Sequence, residues 1–172
     1  RRGAVIGPRR LLWFGWGTQM ATNERAGALV AELGGLIGID DLALDQDGVA
    51  TLTLDGGAAI VTLGARHDGD SLELMCCLDT VEPSPAVLRE MLRANFLGGA
   101  GRPVFALEPG SDAVVLQQSV PLDGMTGAEL ARILESFGAE AQALQQELEA
   151  AGLDLDGEPP AGGIDPMLML RP

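Results

Sequence analysis

The chain has 172 residues, is 47% apolar but only 3% aromatic, and carries 11 basic residues, all arginine, against 25 acidic ones. That length suits one domain with tails, and the core must be aliphatic, a thin core that gains from burying more surface in a dimer. The net charge of −14 becomes −18 from Met20 onward, because Arg1, Arg2, Arg9 and Arg10 lie before it; such a field repels phosphate backbones and anionic membranes, so neither nucleic acid nor a membrane is expected as a partner.

Residues 1–19, RRGAVIGPRRLLWFGWGTQ, hold both tryptophans and a short apolar run, Leu11 to Trp16. The run is too short for a convincing signal peptide and no small-x-small site follows it. This segment reads as an N-terminal extension, non-native or disordered, with Met20 as the native start. The first helix is expected from Asn23, a plausible N-cap, to Ile37, with Ala26, Leu29, Val30, Leu33 and Ile37 at helical spacing and Gly34, Gly35 and Gly38 marking the exit. After the Asp47-Gly48 turn comes a strand, Val49 to Leu54, with Leu52 and Leu54 on one face and Thr51 and Thr53 on the other. Asp55-Gly56-Gly57 turns the chain into a second strand, Ala58 to Leu63, and His67-Asp68-Gly69-Asp70 into a third, Ser71 to Leu78. These three form an antiparallel meander.

The second helix starts at Ser84 with Pro85 in its first turn and ends around Asn95 to Gly99; Leu88, Met91 and Leu92 line one face. Strands follow at Val104 to Glu108 and Ala113 to Val120. The third helix starts near Thr126 and carries the stripe Leu130, Ile133, Leu134, Phe137, Ala141, Leu144 and Leu148. Beyond Gly152 the chain is rich in Gly, Pro and Asp and reads as a flexible tail, residues 153–172. The fold class is therefore α+β, in the order α-β-β-β-α-β-β-α, with residues 20–152 as the domain.

No constellation for catalysis stands out. His67 is the single histidine, in a turn beside Asp68 and Asp70, and nothing completes a metal site at ligand spacing. Cys76 and Cys77 are adjacent in a strand, so they point to opposite faces and cannot readily bridge. They read as small apolar side chains, in keeping with a reducing cytosol, and a nucleophilic role lacks a neighbouring base. Asp45-Gln46-Asp47-Gly48 lacks the remaining ligands of a calcium loop. The glycines at 98, 99 and 101 lack the strand-to-helix context of a phosphate loop. No enzyme activity and no cofactor are expected.

Three stretches carry a family likeness. The first is Leu29 to Ile37 followed by Leu42-Ala43-Leu44-Asp45 and the Asp47-Gly48 turn. The second is Leu88-Arg89-Glu90-Met91-Leu92-Arg93-Ala94-Asn95-Phe96-Leu97. The third is Val114 to Leu122, then Asp123-Gly124-Met125, into Leu130 and Phe137. In order and spacing they resemble the class I type III secretion chaperones, the Tir chaperone (CesT) family. The resemblance implies a twisted five-stranded antiparallel sheet flanked by three helices and an acidic homodimer in the bacterial cytoplasm. Its partner would be the extended N-terminal segment of a secreted effector, kept soluble and handed to the export machinery. A stand-alone adaptor of the same fold, binding a folded partner, is the alternative. Candidate client-binding residues, on the first helix and on the face of the sheet turned outward, are Leu29, Leu33, Leu36, Leu52, Leu54, Val61 and Leu63. Candidate dimer residues, the family-like choice, are Leu88, Met91, Leu92, Phe96, Val104, Phe105 and Val115. For every one of them, ordinary monomer core is an equally good reading of the periodicity.

Overall fold

The computed structural model describes residues 24–54, 59–66, 70–96 and 101–153. The elements are α1 (Glu24–Ile37), β1 (Val49–Leu54), β2 (Ala59–Ala65), β3 (Ser71–Cys77), α2 (Pro85–Phe96), β4 (Val104–Leu107), β5 (Val114–Pro121) and α3 (Gly127–Leu153). Their order and class are those expected. The extension 1–19, the turn at 55–57, His67 and the tail from 154 lie outside the described residues.

Local chemistry sets the helix boundaries. Gly38, at φ +77°, closes α1: the Ile39 amide donates to the Gly34 carbonyl at 2.8 Å, a bond that only a left-handed residue after the helix permits. Gly34 itself is required by packing, since a Cβ there would sit 2.5 Å from the Ile39 carbonyl oxygen and 2.8 Å from Leu42 Cβ. Ser84 caps α2, its hydroxyl accepting from the Val87 amide, with Pro85 at the first helical position. Thr126 and Glu129 form a reciprocal capping box at the start of α3.

The five strands form one antiparallel sheet in the order β1-β2-β3-β5-β4. Side chains alternate across it. One face carries Ala50, Leu52, Val61, Leu63, Leu72, Leu74, Cys76, Leu116, Val120 and Phe105, all buried. Against that face lie Ala26, Leu29, Val30 and Leu33 of α1 and Leu130, Leu134, Phe137, Ala141 and Leu148 of α3, in one cluster. Val87 and Met91 of α2 join the same cluster beside β4. The opposite face is a mixed strip that includes Thr51, Thr53, Ile60, Thr62, Met75, Cys77 and Val115.

Candidate functional site

The sheet has two outermost strands, and hydrogen-bond parity shows which of their backbone groups face outward. The Ala65 amide donates to the Gly48 carbonyl, so Ala50, Leu52 and Leu54 exchange bonds with β2 while Val49, Thr51 and Thr53 point away from it. Val49 is already engaged: its amide donates to Asp45 Oδ1 at 2.9 Å and its carbonyl accepts from the Asp45 amide at 2.8 Å. Thr51 and Thr53 keep their outward amides and carbonyls unpaired among the described residues. They form a short open edge.

On the other side, the Glu108 amide donates to the Ala113 carbonyl, so Val104 and Ala106 bond to β5 and Phe105 and Leu107 point outward. Phe105 is closed off by Asn95 of α2. The Asn95 Nδ2 donates to the Phe105 carbonyl at 2.9 Å, and the Phe105 amide donates to Asn95 Oδ1 at 2.8 Å.

Large apolar side chains are exposed in three places. Leu36 and Ile37 end α1, beside the exposed Asp40 and Asp41. Ile60 lies on the strip face, opposite Thr53 of the open edge. Leu92 and Phe96, 71% and 86% exposed, extend from half-buried Leu88 along α2 at four-residue spacing, flanked by Arg89 and Arg93.

Of the residues expected to meet a client, Leu29, Leu33, Leu52, Val61 and Leu63 are buried, Leu54 is half-buried and Leu36 is exposed. The sheet residues among them occupy the helix-covered face, so their expected outward placement is corrected: on β1 and β2 the outward side chains are Thr51, Thr53, Ile60 and Thr62. The alternation along the strand was legible, but nothing in it says which side the helices take. Of the residues expected at a dimer interface, Leu92 and Phe96 are exposed, Leu88 and Val104 half-buried, and Met91, Phe105 and Val115 buried. Ile37, Ile60, Asn95 and the open pair Thr51 and Thr53 were not singled out from sequence. Ile37 was visible as the last member of the α1 stripe; Asn95 gave no signal, because its partner is ten residues away on another element.

The cysteines are free and lie on opposite faces. Burial pushes the Cys76 thiol up to about 11, and burial with a hydrogen bond to Asp79 and its charge pushes Cys77 up to about 12. Neither offers a thiolate near neutrality. Among the described residues no cluster of metal-binding side chains occurs, and no helix is long and apolar enough to cross a membrane.

The family model of the Tir chaperone protein (CesT) family matches residues 28–145, from α1 to the second half of α3. The chain belongs to the Tir chaperone protein (CesT) family. Solved structures share the fold. The Yersinia pestis type III secretion chaperone SycH, in complex with a stable fragment of YscM2, superposes with a TM-score of 0.58 at 21% identity, covering 69% of this chain and 98% of that one. A chain of the ExsC–ExsE complex gives 0.63 at 23% identity, covering 75% and 97%. A chain of the ExoT–SpcS complex from Pseudomonas aeruginosa gives 0.51 at 20%, covering 72% and 98%. No curated protein matches by sequence. The part matched by the CesT model contains the open edge, the guarded edge and all three exposed apolar patches.

Proposed function

We propose that this protein is a type III secretion chaperone. It holds the N-terminal segment of a secreted effector in an extended form, keeps it soluble, and delivers it to the export machinery from the bacterial cytoplasm. Membership of the CesT family across most of the described chain carries the reading. The surface chemistry supports it. An extended segment can pair with the outward groups of Thr51 and Thr53 and lay apolar side chains on Ile60 and on Leu36 and Ile37. Ordering a flexible chain costs free energy, so such a client needs apolar contacts spread along its length. Asp40, Asp41, Asp45 and Asp47 around the approach to β1 favour a segment that is basic as well as apolar. No covalent chemistry is assigned: the two thiols are held far above neutrality.

The working form in this reading is a homodimer joined through α2. From half-buried Leu88 an apolar row runs to Leu92 and Phe96, which the other described residues leave exposed, and burying a Leu or Phe side chain contributes about 1.5–3 kcal/mol.

The test is limited proteolysis of complexes recovered with the secreted proteins of the same bacterium. A short N-terminal fragment of the client should survive on the chaperone and rebind as a synthetic peptide. Binding that needs a folded client domain and leaves its N-terminus unprotected would replace this reading with the adaptor.

A further inference from the structure

The two edges of the sheet are treated differently: α2 packs beside β4, and its Asn95 takes up the backbone groups of Phe105 on that edge. A carboxamide carries the same donor and acceptor as a peptide unit, so Asn95 offers Phe105 both bonds that the next strand would supply. The orientation of the amide is fixed by its partner, because the Phe105 amide can only donate and its carbonyl can only accept. Phe105 is the first of the two outward positions of β4 and lies between Pro103 and Leu107 in the outward series. Pro103 just before the strand has no amide hydrogen, which among the described residues of this edge leaves Leu107 as the outward donor not taken up. An added strand must engage alternate residues in succession, and here the succession is interrupted in its middle. On β1 the corresponding side-chain guard, Asp45, stops at Val49, and Thr51 and Thr53 remain available in succession.

We propose that Asn95 is a positioning residue that occupies the β4 edge in place of a sixth strand, so that strand addition is directed to β1 and the sheets of two molecules do not join through β4. The half of this statement that concerns clients rests on the function proposed above; the half that concerns self-association does not. In a dimer built on α2, the two protomers then meet through side chains and the two sheets stay separate. Asn95 is set on α2 one residue before Phe96, so the same helix end that presents the apolar row also closes the neighbouring strand.

Amide hydrogen exchange of the full chain, with the mass measured by light scattering, tests it. In the parent protein the Phe105 amide should be protected although it faces outward from an outermost strand, while Thr51 and Thr53 exchange freely. Asn95→Asp keeps the shape and the acceptor but sets a carboxylate oxygen against the Phe105 carbonyl; Asn95→Ala removes both bonds. Each should speed Phe105 exchange by about tenfold or more. Asn95→Ala should in addition form species heavier than the parent at concentrations where the parent does not. Adding Ala106→Lys, a charge on the same edge strand, should return the mass to that of the parent. Rapid Phe105 exchange in the parent overturns the closure of the edge, whether or not the variants fold. Lost protection in a folded Asn95→Ala at unchanged mass overturns the guarding role and leaves Asn95 as a brace between α2 and β4. A basic, extended client peptide should slow Thr51 and Thr53 exchange in the parent; if it instead slows Leu107, the direction of strand addition is wrong while the effect on mass still stands. If no such peptide binds, the proposed function fails and the self-association result is untouched.

Discussion

Helices α1 and α2 look alike as sequence and meet different fates. Both have apolar residues at helical spacing. In α1 that stripe, Ala26, Leu29, Val30 and Leu33, is buried between the sheet and α3. In α2 Val87 and Met91 are buried in the core, Leu88 packs against it half-buried, and the row ends in exposed Leu92 and Phe96. The cause is position: α1 packs along α3, which itself lies on β2 and β3, and its stripe closes into their common core, whereas α2 sits against the outermost strand and α3, which cover one side of it. A stripe tells which side of a helix avoids water. It does not tell whether the chain itself supplies the cover.

The sharpest contrast comes from the two phenylalanines. Phe137→Ala removes a ring that is 1% exposed at the centre of the α3 stripe and should cost about 3–5 kcal/mol in denaturant unfolding, enough to unfold a marginal domain. Phe96→Ala, at 86% exposed, should leave the unfolding of a single subunit within about 0.5 kcal/mol of the parent. Phe96→Asp should convert dimers to folded monomers in light scattering at micromolar concentration. A dimer that survives Phe96→Asp places the interface elsewhere and breaks the comparison between the helices. A monomeric parent does the same.

A smaller effect is expected where α1 turns out of its groove. Gly34→Ala gains helix propensity, about 1 kcal/mol, but its methyl group must enter the space of the Ile39 carbonyl and Leu42 Cβ. Both neighbours are held, the first by the bond that closes the helix, so overpacking should win with a net loss of about 1–2 kcal/mol. Gly35, one residue on, has open space around its Cα, and Gly35→Ala should stabilise the protein by a fraction of that. Equal responses at the two positions would mean that the α1 exit is not the tight packing point described.

These cases also mark how far the sequence could be read. The eight elements came from apolar period, Ser84-Pro85, the Gly-rich exits and the Asp-Gly turns, all of which are local signals, and their ends fell within a few residues of the observed ones. What α1 and α2 pack against was not local. Thr51 and Thr53 were correctly separated from Leu52 and Leu54, yet the choice of the leucine face as the covered one depends on where α1 and α3 return in space. The candidate client residues on the sheet consequently landed on the inner face, and Ile60, the outward one, was passed over because it is a lone isoleucine among threonines. The two edges were invisible for a further reason. Strand order β1-β2-β3-β5-β4 puts β4, not β5, outermost, and only then does Asn95 have an edge to guard.

The mildest test lies at the start of α3, the helix both others pack on. Thr126 caps it by accepting from the Glu129 amide, and Glu129 in return accepts from the Thr126 amide at 3.1 Å and the Thr126 hydroxyl at 2.8 Å. The Thr126 side-chain bond, then its backbone bond, hold the Glu129 carboxyl below the ordinary glutamate value of 4.5. A depressed carboxylate stabilises the folded state above its unfolded value, and that contribution disappears as pH falls through the lower folded value. Thr126→Ala removes the cap and should cost about 1 kcal/mol at neutral pH. The gap between parent and variant should then begin to narrow below about pH 4.5, the ordinary value, and go on narrowing as pH falls through the lower folded value of the parent, below which Glu129 is neutral in both. Melting curves of the two proteins at a series of pH values measure the gap directly. A gap that stays constant into acid would mean that the capping box is not formed in solution, and that α3 is held in place by its buried apolar stripe, from Leu130 to Leu148, without it.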